Sequence, residues 1–445
     1  MVSSQKLGSV LSKNFRRVTE DKPRQIAFEV LTDVMRNGAY SNLLLPQKLS
    51  NSGLDQRDKA FTTELLYGSI RQLGRNDYIA AQFSDRPWSE VDAGIVDVIR
   101  IGAYQLFDMR VPTHAAVDAT VNLARRVIGE SKASFVNALM RKLSSKSLDE
   151  HLTKVQDDSV SSLAIRYSHP EWIINSYRDF ISNIDELKEL LHSNNTPVKP
   201  TLVTWPGKSE VEEFEGEPGK YSPYAVHITS TPQEIEAIRQ RRAGIQDEGS
   251  QVLTIAFAKA ASENEPWLDL CAGPGGKAAL LSYLAKDVFY ANEISEARAD
   301  LVRQVVKAGT QVLVGDGREV ELPVKAILAD VPCTGLGALR RRPEVRWRRS
   351  TDDLRALTKL QYELAEHAIS VLPSGGIFGY ATCSPHMAET RAQAATFEKK
   401  LPVDKIDVSP FLPSNLEGGV ANGYMQLWPH RHETDAMFLA LYRKR

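Results

Sequence analysis

The sequence predicts a multidomain protein in which an all-α N-terminal domain precedes a small α/β connector and a larger α/β domain. Three observations lead to this prediction. Apolar residues recur at helical spacing in the first third, helical and alternating patterns share the middle, and short apolar strands alternate with amphipathic helices thereafter. A chain of 445 residues is also too long to fold around one hydrophobic core.

The N-terminus, residues 1–21, is polar and basic and lacks the uninterrupted apolar core of a signal peptide. We interpret it as a flexible arm. No apolar run approaches the roughly 18 residues that a membrane span requires. We therefore expect a cytoplasmic protein with no membrane partner.

Residues 22–146 are expected to form the all-α domain. The segment "RQIAFEVLTDVMRNG" places Ile26, Val30 and Val34 on one helical face, and Gly38 is a suitable helix stop. Four later segments repeat this spacing, and none alternates like a strand.

Residues 155–240 are expected to form the connector. Two helical patterns, "PEWIINSYRDFI" and "IDELKELLHS", precede two alternating segments, "VKPTLVTWPG" and "AVHITS". Residues 241–445 then read as a Rossmann-like domain with a doubly wound, mostly parallel sheet. Ligands of such sheets bind beyond the carboxyl ends of the strands.

Charge is unevenly distributed although the chain as a whole has a net charge of −1. Residues 1–150 hold 21 Lys and Arg against 17 Asp and Glu, and residues 151–240 hold 8 against 14. Residues 241–445 are nearly balanced, with 26 against 25. The basic N-terminal part weakly favours a nucleic-acid partner.

A Gly-rich turn, "LDLCAGPGGKAALL", ends the first strand of the Rossmann-like domain. Its glycines allow a ligand to approach the backbone closely. It lacks the spacing of a dinucleotide fingerprint and of a phosphate loop. The candidate ligand-binding residues of the turn are Cys271, Ala272, Gly273, Pro274, Gly275, Gly276 and Lys277.

Acidic residues end the next strands: Glu293 in "YANEIS", Asp316 in "GDGR" and Asp330 in "LADVPC". A carboxylate at the first position can accept from ribose hydroxyls, and one at the second from an adenine amino group. A nucleoside without phosphate fits this series, which indicates S-adenosylmethionine. The alternative is that Gly-rich turns and strand-end acids are common in any α/β fold.

The chain has three cysteines, Cys271, Cys333 and Cys383, too far apart in sequence for a disulfide framework and without zinc-site spacing, so we expect no metal. Cys333 and Cys383 follow neighbouring strands and can face one pocket. Carbon 5 of a pyrimidine becomes nucleophilic once a thiolate adds to carbon 6, which such a pair could catalyse. The alternative is that both are ordinary buried core residues.

The motifs "CAGPGGK", "DVPCTGLG" and "YATCSP" together resemble the RNA 5-methylcytosine methyltransferases that use two cysteines. The resemblance covers nearly the whole chain from about residue 22, because one member of the family, directed at small-subunit ribosomal RNA, carries a NusB-like RNA-binding domain before the catalytic core. It implies S-adenosylmethionine-dependent methylation of carbon 5 of a cytidine in RNA, with 16S ribosomal RNA as the expected substrate. We expect a monomer with RNA as its partner.

The resemblance also implies roles. Cys383 is the nucleophile that attacks carbon 6, and Cys333 assists release of the methylated product. The turn from Cys271 to Lys277, together with Glu293, Asp316 and Asp330, contacts the methyl donor. Asp330 also helps to orient the target base.

The sequence departs from the family pattern in three places, the third of which is a pair of adjacent residues. Gly273 stands where alanine is usual, and Glu293 stands where aspartate is usual. The family's acidic residue and asparagine after the second cysteine read Glu389 and Thr390, which leaves the role of that helix open.

Six arginines fall within ten residues just after Cys333. We interpret this run as an RNA-phosphate contact, and Trp347 as a stacking or packing residue. The alternative is a solvated helix with partners such as Glu344, Asp352 and Asp353. The candidate RNA-binding residues are Arg340, Arg341, Arg342, Arg346, Arg348 and Arg349.

Two other functions stay open. The catalytic motifs do not specify which RNA is the substrate, so the first alternative is a tRNA cytosine methyltransferase. A non-catalytic RNA-binding or assembly factor with a vestigial methyltransferase fold is the second alternative. The presence of both Cys333 and Cys383 disfavours it, because a vestigial site has no chemical need for two thiols.

Overall fold

The computed structural model describes residues 20–445, and most of the arm expected at residues 1–21 lies outside the described residues. The chain divides after Lys154 into two compact units, here called the N-terminal and C-terminal units. Within residues 20–445, none of the helices combines the length and apolar character needed to cross a bilayer.

The N-terminal unit is helical throughout its described residues, as the apolar spacing predicts. In the first helix the buried face consists of the residues at that spacing, among them Ile26, Val30 and Val34, and Asp21 caps the helix by accepting from the amide of Arg24. The helices are α1 (Lys22–Arg36), α2 (Ser41–Ser50), α3 (Gln56–Arg71), α4 (Leu73–Ala81), α5 (Ala93–Phe107), α6 (Thr113–Val127), α7 (Glu130–Leu143) and α8 (Leu148–His151).

The C-terminal unit begins with three short helices, α9 (Val160–Arg166), α10 (Glu171–Arg178) and α11 (Ile184–Ser193). Their apolar faces form a core that includes Leu336 and Leu339. Both leucines lie in the segment just after Cys333, so these helices support the loop that carries the second cysteine motif.

A small antiparallel sheet follows, with strand order β2-β3-β1-β4. The fourth strand lies beyond residue 240, where the sequence pattern ended the connector. The elements are β1 (Thr201–Thr204), β2 (Glu217–Pro218), β3 (Ala225–His227), α12 (Glu236–Arg239) and β4 (Ala243–Ile245).

A nine-stranded sheet forms the centre of the C-terminal unit, in the order β11-β12-β13-β9-β8-β5-β6-β7, with β10 paired to β13. Strands β9, β8, β5, β6 and β7 are parallel, and the remaining strands extend the sheet antiparallel from β9. The strands are β5 (Trp267–Asp269), β6 (Phe289–Glu293), β7 (Gln311–Val314), β8 (Ala326–Asp330), β9 (Ile377–Thr382), β10 (Val403–Ile406), β11 (Val420–Ala421), β12 (Tyr424–Gln426) and β13 (Phe438–Lys444).

Helices cover both faces of this sheet, which confirms the Rossmann-like prediction. Leu328 and Phe257 belong to the core on one face, and Ile327, Phe378 and Phe397 belong to the core on the other. Successive residues of β8 alternate between the two cores because strand side chains alternate faces. The remaining helices are α13 (Glu248–Ala260), α14 (Gly276–Leu284), α15 (Glu296–Val305), α16 (Val345–Arg348), α17 (Thr351–Val371), α18 (Arg391–Lys400) and α19 (Pro429–His432).

Candidate active site

The parallel strands bring the sequence motifs to one edge of the sheet. In the register of the sheet, Asp269 at the end of β5 pairs with Leu328 of β8, and Asp330 at the end of β8 pairs with Ala381 of β9. Residues that follow these strand ends, including both cysteine motifs, therefore extend from the same edge.

The Gly-rich turn is shaped by two glycines. Gly275 has φ +114°, and a Cβ there would lie 2.7 Å from a methyl group of Val305. A Cβ at Gly273 would lie 2.3 Å from a carboxylate oxygen of Glu293. The two departures from the family pattern noted in the sequence are thus in contact: the longer acid fills the space that an alanine side chain would need.

Glu293 is buried, with 3% of its surface exposed. Its carboxylate accepts from the amides of Gly273 and Ser295, each at 3.0 Å, and Arg298 lies 3.4 Å away. These amides fix the acid at the end of β6, where its oxygens border the Gly-rich turn.

Asp316, after β7, is ion-paired with Arg318, whose Nη2 lies 2.6 Å from the carboxylate. Arg318 also binds Glu363 at 2.7 Å. The hydrogen bonds from Arg318 lower the pKa of Asp316 to about 2, so this acid is ionised at any physiological pH. An ionised carboxylate can accept a hydrogen bond from an amino group.

Two apolar side chains lie exposed beside these acids. Ile294, directly after Glu293, is 67% exposed, and Val314, which pairs with Glu293 in the sheet, is 41% exposed. The sequence analysis did not single them out. The signal that could have found them is an apolar residue within two positions of a strand-end acid, as Ile294 is to Glu293 and Val314 is to Asp316.

Asp269, at the end of β5, is also a residue that sequence reasoning missed. Its carboxylate is fully buried, and neither oxygen makes a hydrogen bond of ordinary geometry to another described residue. Burial, followed by repulsion from Asp330, raises the pKa of Asp269 to about 7, although Lys277 and the amide of Cys271 oppose the shift. A buried polar group without a partner is unusual in a folded protein and marks a place where a ligand can supply one.

Lys277, at the start of α14, forms an ion pair of 2.8 Å with Asp330. Burial disfavours the charged form, but Asp330 outweighs it and raises the pKa of Lys277. The lysine therefore stays protonated. The sequence placed Lys277 only among donor contacts, whereas the structure also places its positive charge close enough to Cys383 to affect that thiol.

The structure brings Cys333 and Cys383 together, with 3.4 Å between their sulfur atoms. The hydrogen bond from Cys333 lowers the pKa of the Cys383 thiol, and Lys277 and Arg342 act in the same direction against burial and Asp330. The same hydrogen bond, followed by burial, raises the pKa of Cys333 well above its ordinary value. The pair therefore divides into a thiolate-forming Cys383 and a proton-holding Cys333.

Cys271 differs from both. Burial, followed by the negative charge of Asp269, raises the pKa of its thiol, so it is held in the unreactive protonated form.

The structure corrects the RNA-binding expectation for two of the six residues in the arginine run. Arg346 is fully buried and donates to the carbonyls of Ser168 and Asn194 at 3.0 and 3.1 Å. Arg340 is buried and donates to the carbonyl of Glu433 at 2.8 Å. These groups face the interior, where a phosphate cannot reach them.

Arg341 forms an ion pair with the buried carboxylate of Asp435, but its own side chain is 35% exposed. Arg342, Arg348 and Arg349 are also partly exposed, and Arg349 lies 3.9 Å from Asp353 in the manner of the solvated-helix alternative. The part of the run that can face a substrate is therefore Arg341, Arg342, Arg348 and Arg349.

Comparison with known proteins identifies both parts of the chain. Residues 256–443 match the family described as 16S rRNA methyltransferase RsmB/F, and residues 21–145 match the NusB family.

Similar proteins extend over nearly the full length. A Mycobacterium tuberculosis protein named as methyltransferase MT1451 is 39% identical, with 97% of this chain and 99% of that protein covered. The ribosomal RNA small subunit methyltransferase B of Proteus mirabilis is 27% identical, with 95% and 98% covered. The crystal structure of a protein designated PH0851 has a TM-score of 0.79 at 21% identity and covers 95% of this chain and 98% of its own, which supports the fold.

The fold, the residues at the strand ends and the family matches together define the class of protein. It is an S-adenosylmethionine-dependent RNA methyltransferase with a NusB-like N-terminal domain. Within that class, the chain belongs to the RsmB/F family of 16S rRNA methyltransferases.

Proposed function

We propose that this protein methylates carbon 5 of a cytidine in 16S ribosomal RNA through a covalent bond between Cys383 and carbon 6. The observation that carries the proposal is the pair of thiols 3.4 Å apart, one favoured as thiolate and one held protonated. The family description and the relative from Proteus mirabilis, named for ribosomal RNA methylation, support the choice of substrate.

The residues of the donor side fit S-adenosylmethionine. When bound, this cofactor supplies an electrophilic methyl group. The turn from Cys271 to Lys277 would hold its amino-acid part, and the buried carboxylate of Asp269, which makes no hydrogen bond of ordinary geometry within the described part of the chain, offers a partner to a cationic ligand. Glu293 would accept from the ribose, and Asp316 from the adenine amino group.

The exposed side chains of Ile294 and Val314 would pack against the adenine ring. An apolar surface flanked by two acceptors suits a nucleoside, because the flat face of the base is apolar and its edge and sugar are polar.

The chemistry at the base is assigned to the thiol side. The Cys383 thiolate forms a bond to carbon 6, and the electron pair of the carbon 5–carbon 6 double bond moves to carbon 5, which then accepts the methyl group. The donor leaves as S-adenosylhomocysteine once its methyl group has been transferred. Water then takes the carbon 5 proton, the electrons of the carbon 5–hydrogen bond re-form the carbon 5–carbon 6 double bond, and the carbon 6–sulfur bond breaks with both electrons leaving on Cys383. Asp330, beside Lys277, would orient the base.

Cys333 acts on the departure of the thiolate. Its S–H donates to the Cys383 sulfur, and a thiolate that receives a hydrogen bond is a better leaving group than one that does not. Removing Cys333 therefore shifts the balance from free thiolate toward the covalent adduct.

The test is denaturing gel electrophoresis of protein incubated with methyl-labelled donor and 16S RNA. Cys383→Ala is expected to give no adduct and no methylation. Cys333→Ala is expected to add, methylate and stall, leaving a labelled protein–RNA species. Cys271→Ala, in which the unreactive thiol is removed, serves as the control and should not trap RNA.

The outcomes separate the alternatives. An adduct with Cys383→Ala instead would reverse the two roles, and full activity of both variants would refute cysteine-based carbon methylation. Bisulfite sequencing of ribosomal RNA and tRNA from a deletion strain identifies the substrate, and loss of a tRNA mark with intact ribosomal RNA would replace 16S RNA by tRNA.

A further inference from the structure

Glu389 is a buried carboxylate whose position in the sequence had no assigned role. It ends the short turn Met387–Glu389 that follows β9 and Cys383, and none of its surface is exposed. Burying an ionisable group is costly unless its oxygens are well hydrogen-bonded, so the groups around Glu389 indicate what it does.

The partners of Glu389 lie on the other cysteine loop. One oxygen accepts from the backbone amide of Thr334 at 2.8 Å and from the side-chain amide of Gln361 at 3.0 Å. The other oxygen accepts from the hydroxyl of Thr334. Both oxygens of this buried carboxylate therefore have hydrogen-bond partners.

The same network forms hydrogen bonds to both sequence neighbours of Cys333, Pro332 and Thr334. The side-chain amide of Gln361 also donates to the carbonyl of Pro332 at 2.9 Å, while Glu389 holds Thr334. The hydroxyl of Thr334 lies 3.1 Å from that of Ser384, which directly follows Cys383. The residues on either side of Cys333 are thus tied to the loop that carries Cys383.

We propose that Glu389 is a positioning residue for the thiol pair: its carboxylate fixes the Cys333 loop so that the Cys333 thiol donates to Cys383. The catalytic role of the two thiols rests on the proposed function, whereas the positioning of the Cys333 loop by Glu389 does not. Loss of the two hydrogen bonds from Thr334 to Glu389 would leave the loop beside Cys333 with fewer restraints, among them the contact of Gln361 to Pro332 and that of Thr334 to Ser384.

Charge gives Glu389 a second effect in the same direction. Its negative charge contributes to the raised pKa of Cys333, after the hydrogen bond to Cys383 and burial. A Cys333 that keeps its proton can donate to Cys383, so the position of the loop and the charge of Glu389 both favour the same division of roles.

The first experiment measures thiol ionisation without RNA. The intact protein is alkylated with iodoacetamide between pH 6 and 10, and each cysteine is followed by peptide mass spectrometry, with Cys271 as an internal reference. In the wild type we expect Cys383 to react at lower pH than Cys333. In Glu389→Gln we expect Cys333 to react about tenfold faster at pH 8, as for a pKa about one unit lower, and Cys383 to react severalfold more slowly.

The matched control is Glu248→Gln. Glu248 is also buried, and it accepts from two backbone amides, those of Tyr221 and Ser222, away from the cysteines. If a general loss of stability were responsible, this variant would change the thiols equally. Unchanged pH profiles of both thiols in Glu389→Gln would overturn the proposal.

A second measurement uses the labelled-adduct gel. Glu389→Gln should accumulate adduct in the manner of Cys333→Ala, while Glu248→Gln should not. If Cys333→Ala traps RNA but Glu389→Gln behaves as wild type, the positioning role is wrong. Suppose that no variant forms an adduct, but that the alkylation pH profiles of Cys333 and Cys383 move closer together in Glu389→Gln. The positioning role then stands and the proposed function fails.

Should Glu389→Gln not fold, Thr334→Val decides the question. This substitution removes the hydroxyl donor and keeps the shape and the backbone amide. Its thiol profiles are expected to move in the same direction by a smaller factor, about threefold at pH 8. Wild-type profiles in a folded Thr334→Val would then overturn the proposal.

Discussion

The thiol side and the donor side of the candidate site differ in how fully the protein satisfies its own polar groups. On the thiol side, the carboxylate of Glu389 accepts from Thr334 and Gln361, and the sulfur atoms of Cys333 and Cys383 lie within hydrogen-bond distance of each other. On the donor side, the buried carboxylate of Asp269 makes no hydrogen bond of ordinary geometry to another residue that the structure describes. The thiol side is organised before any ligand binds, as efficient electrostatic catalysis requires, whereas the donor side is completed by its ligand.

The largest expected effect, and the first test of this difference between the thiol side and the donor side, comes from substituting Lys277. Lys277→Met removes one of the two cations that, after the hydrogen bond from Cys333, lower the pKa of Cys383, so that pKa should rise and activity should need a higher pH. We expect methylation at pH 7 to fall about 10- to 100-fold, as for a rise of one to two pKa units, with partial recovery at pH 9.

The measurement is the pH dependence of single-turnover methylation, combined with calorimetry of donor binding. Lys286→Met, an exposed lysine just beyond the same helix, is the control and should leave the profile unchanged. A uniform loss at every pH would show that Lys277 acts by binding and not through the thiol.

Asp269 offers the next test, on the donor side. Because its folded pKa of about 7 lies above the ordinary 3.8, the folded protein holds a proton that the unfolded chain releases, and stability falls as pH rises through this window. Asp269→Asn should therefore raise Tm at pH 8 by a few degrees and leave it unchanged at pH 4. It should also weaken donor binding about tenfold at pH 8, because a charged partner is lost.

Calorimetry of the donor and thermal melts at the two pH values check this prediction. Wild-type donor affinity should fall below pH 7 as Asp269 takes up a proton, and Asp269→Asn should lose that dependence. Asp404→Asn, on an exposed part of β10, is the control. A variant that is less stable at pH 8 would show that Asp269 has a partner within the protein.

The smallest expected effect concerns Gly273 and Glu293. Gly273→Ala should weaken donor binding severalfold, because its Cβ would displace the carboxylate of Glu293. Adding Glu293→Asp shortens that side chain and should restore most of the loss, with a coupling free energy of about 1 kcal/mol. Donor calorimetry on the two single variants and the double variant measures it, and additive losses would contradict the contact.

Much of the fold could be predicted because it depends on periodicity and chain order. The alternation of strands and helices along the chain predicts a parallel sheet, and the carboxyl ends of parallel strands lie at the same edge of the sheet. That alone places the Gly-rich turn, Glu293 and the two cysteine motifs together. The antiparallel extension from β9 was not predicted, because a short apolar strand reads the same in either direction.

The arginine run shows why the rest could not be predicted. Arg346 is held by carbonyls of Ser168 and Asn194, more than 150 residues earlier in the chain. A cluster of positive charge looks the same in sequence whether its partners are phosphates or distant backbone carbonyls. Asp269 was missed for a related reason, since burial without a partner is a property of the packed structure.

The last strand has a consequence for how the protein is made. Strand β13 covers β9, pairing Phe438 with Thr382 next to Cys383, and the amide of Ala436 bonds to Gly337 in the loop after Cys333. Because a ribosome delivers residues in order, Cys383 emerges more than fifty residues before the strand that covers it. Until then β9 is an open sheet edge beside Cys383, so the contacts that complete this edge form only after residues 436–444 have been synthesised.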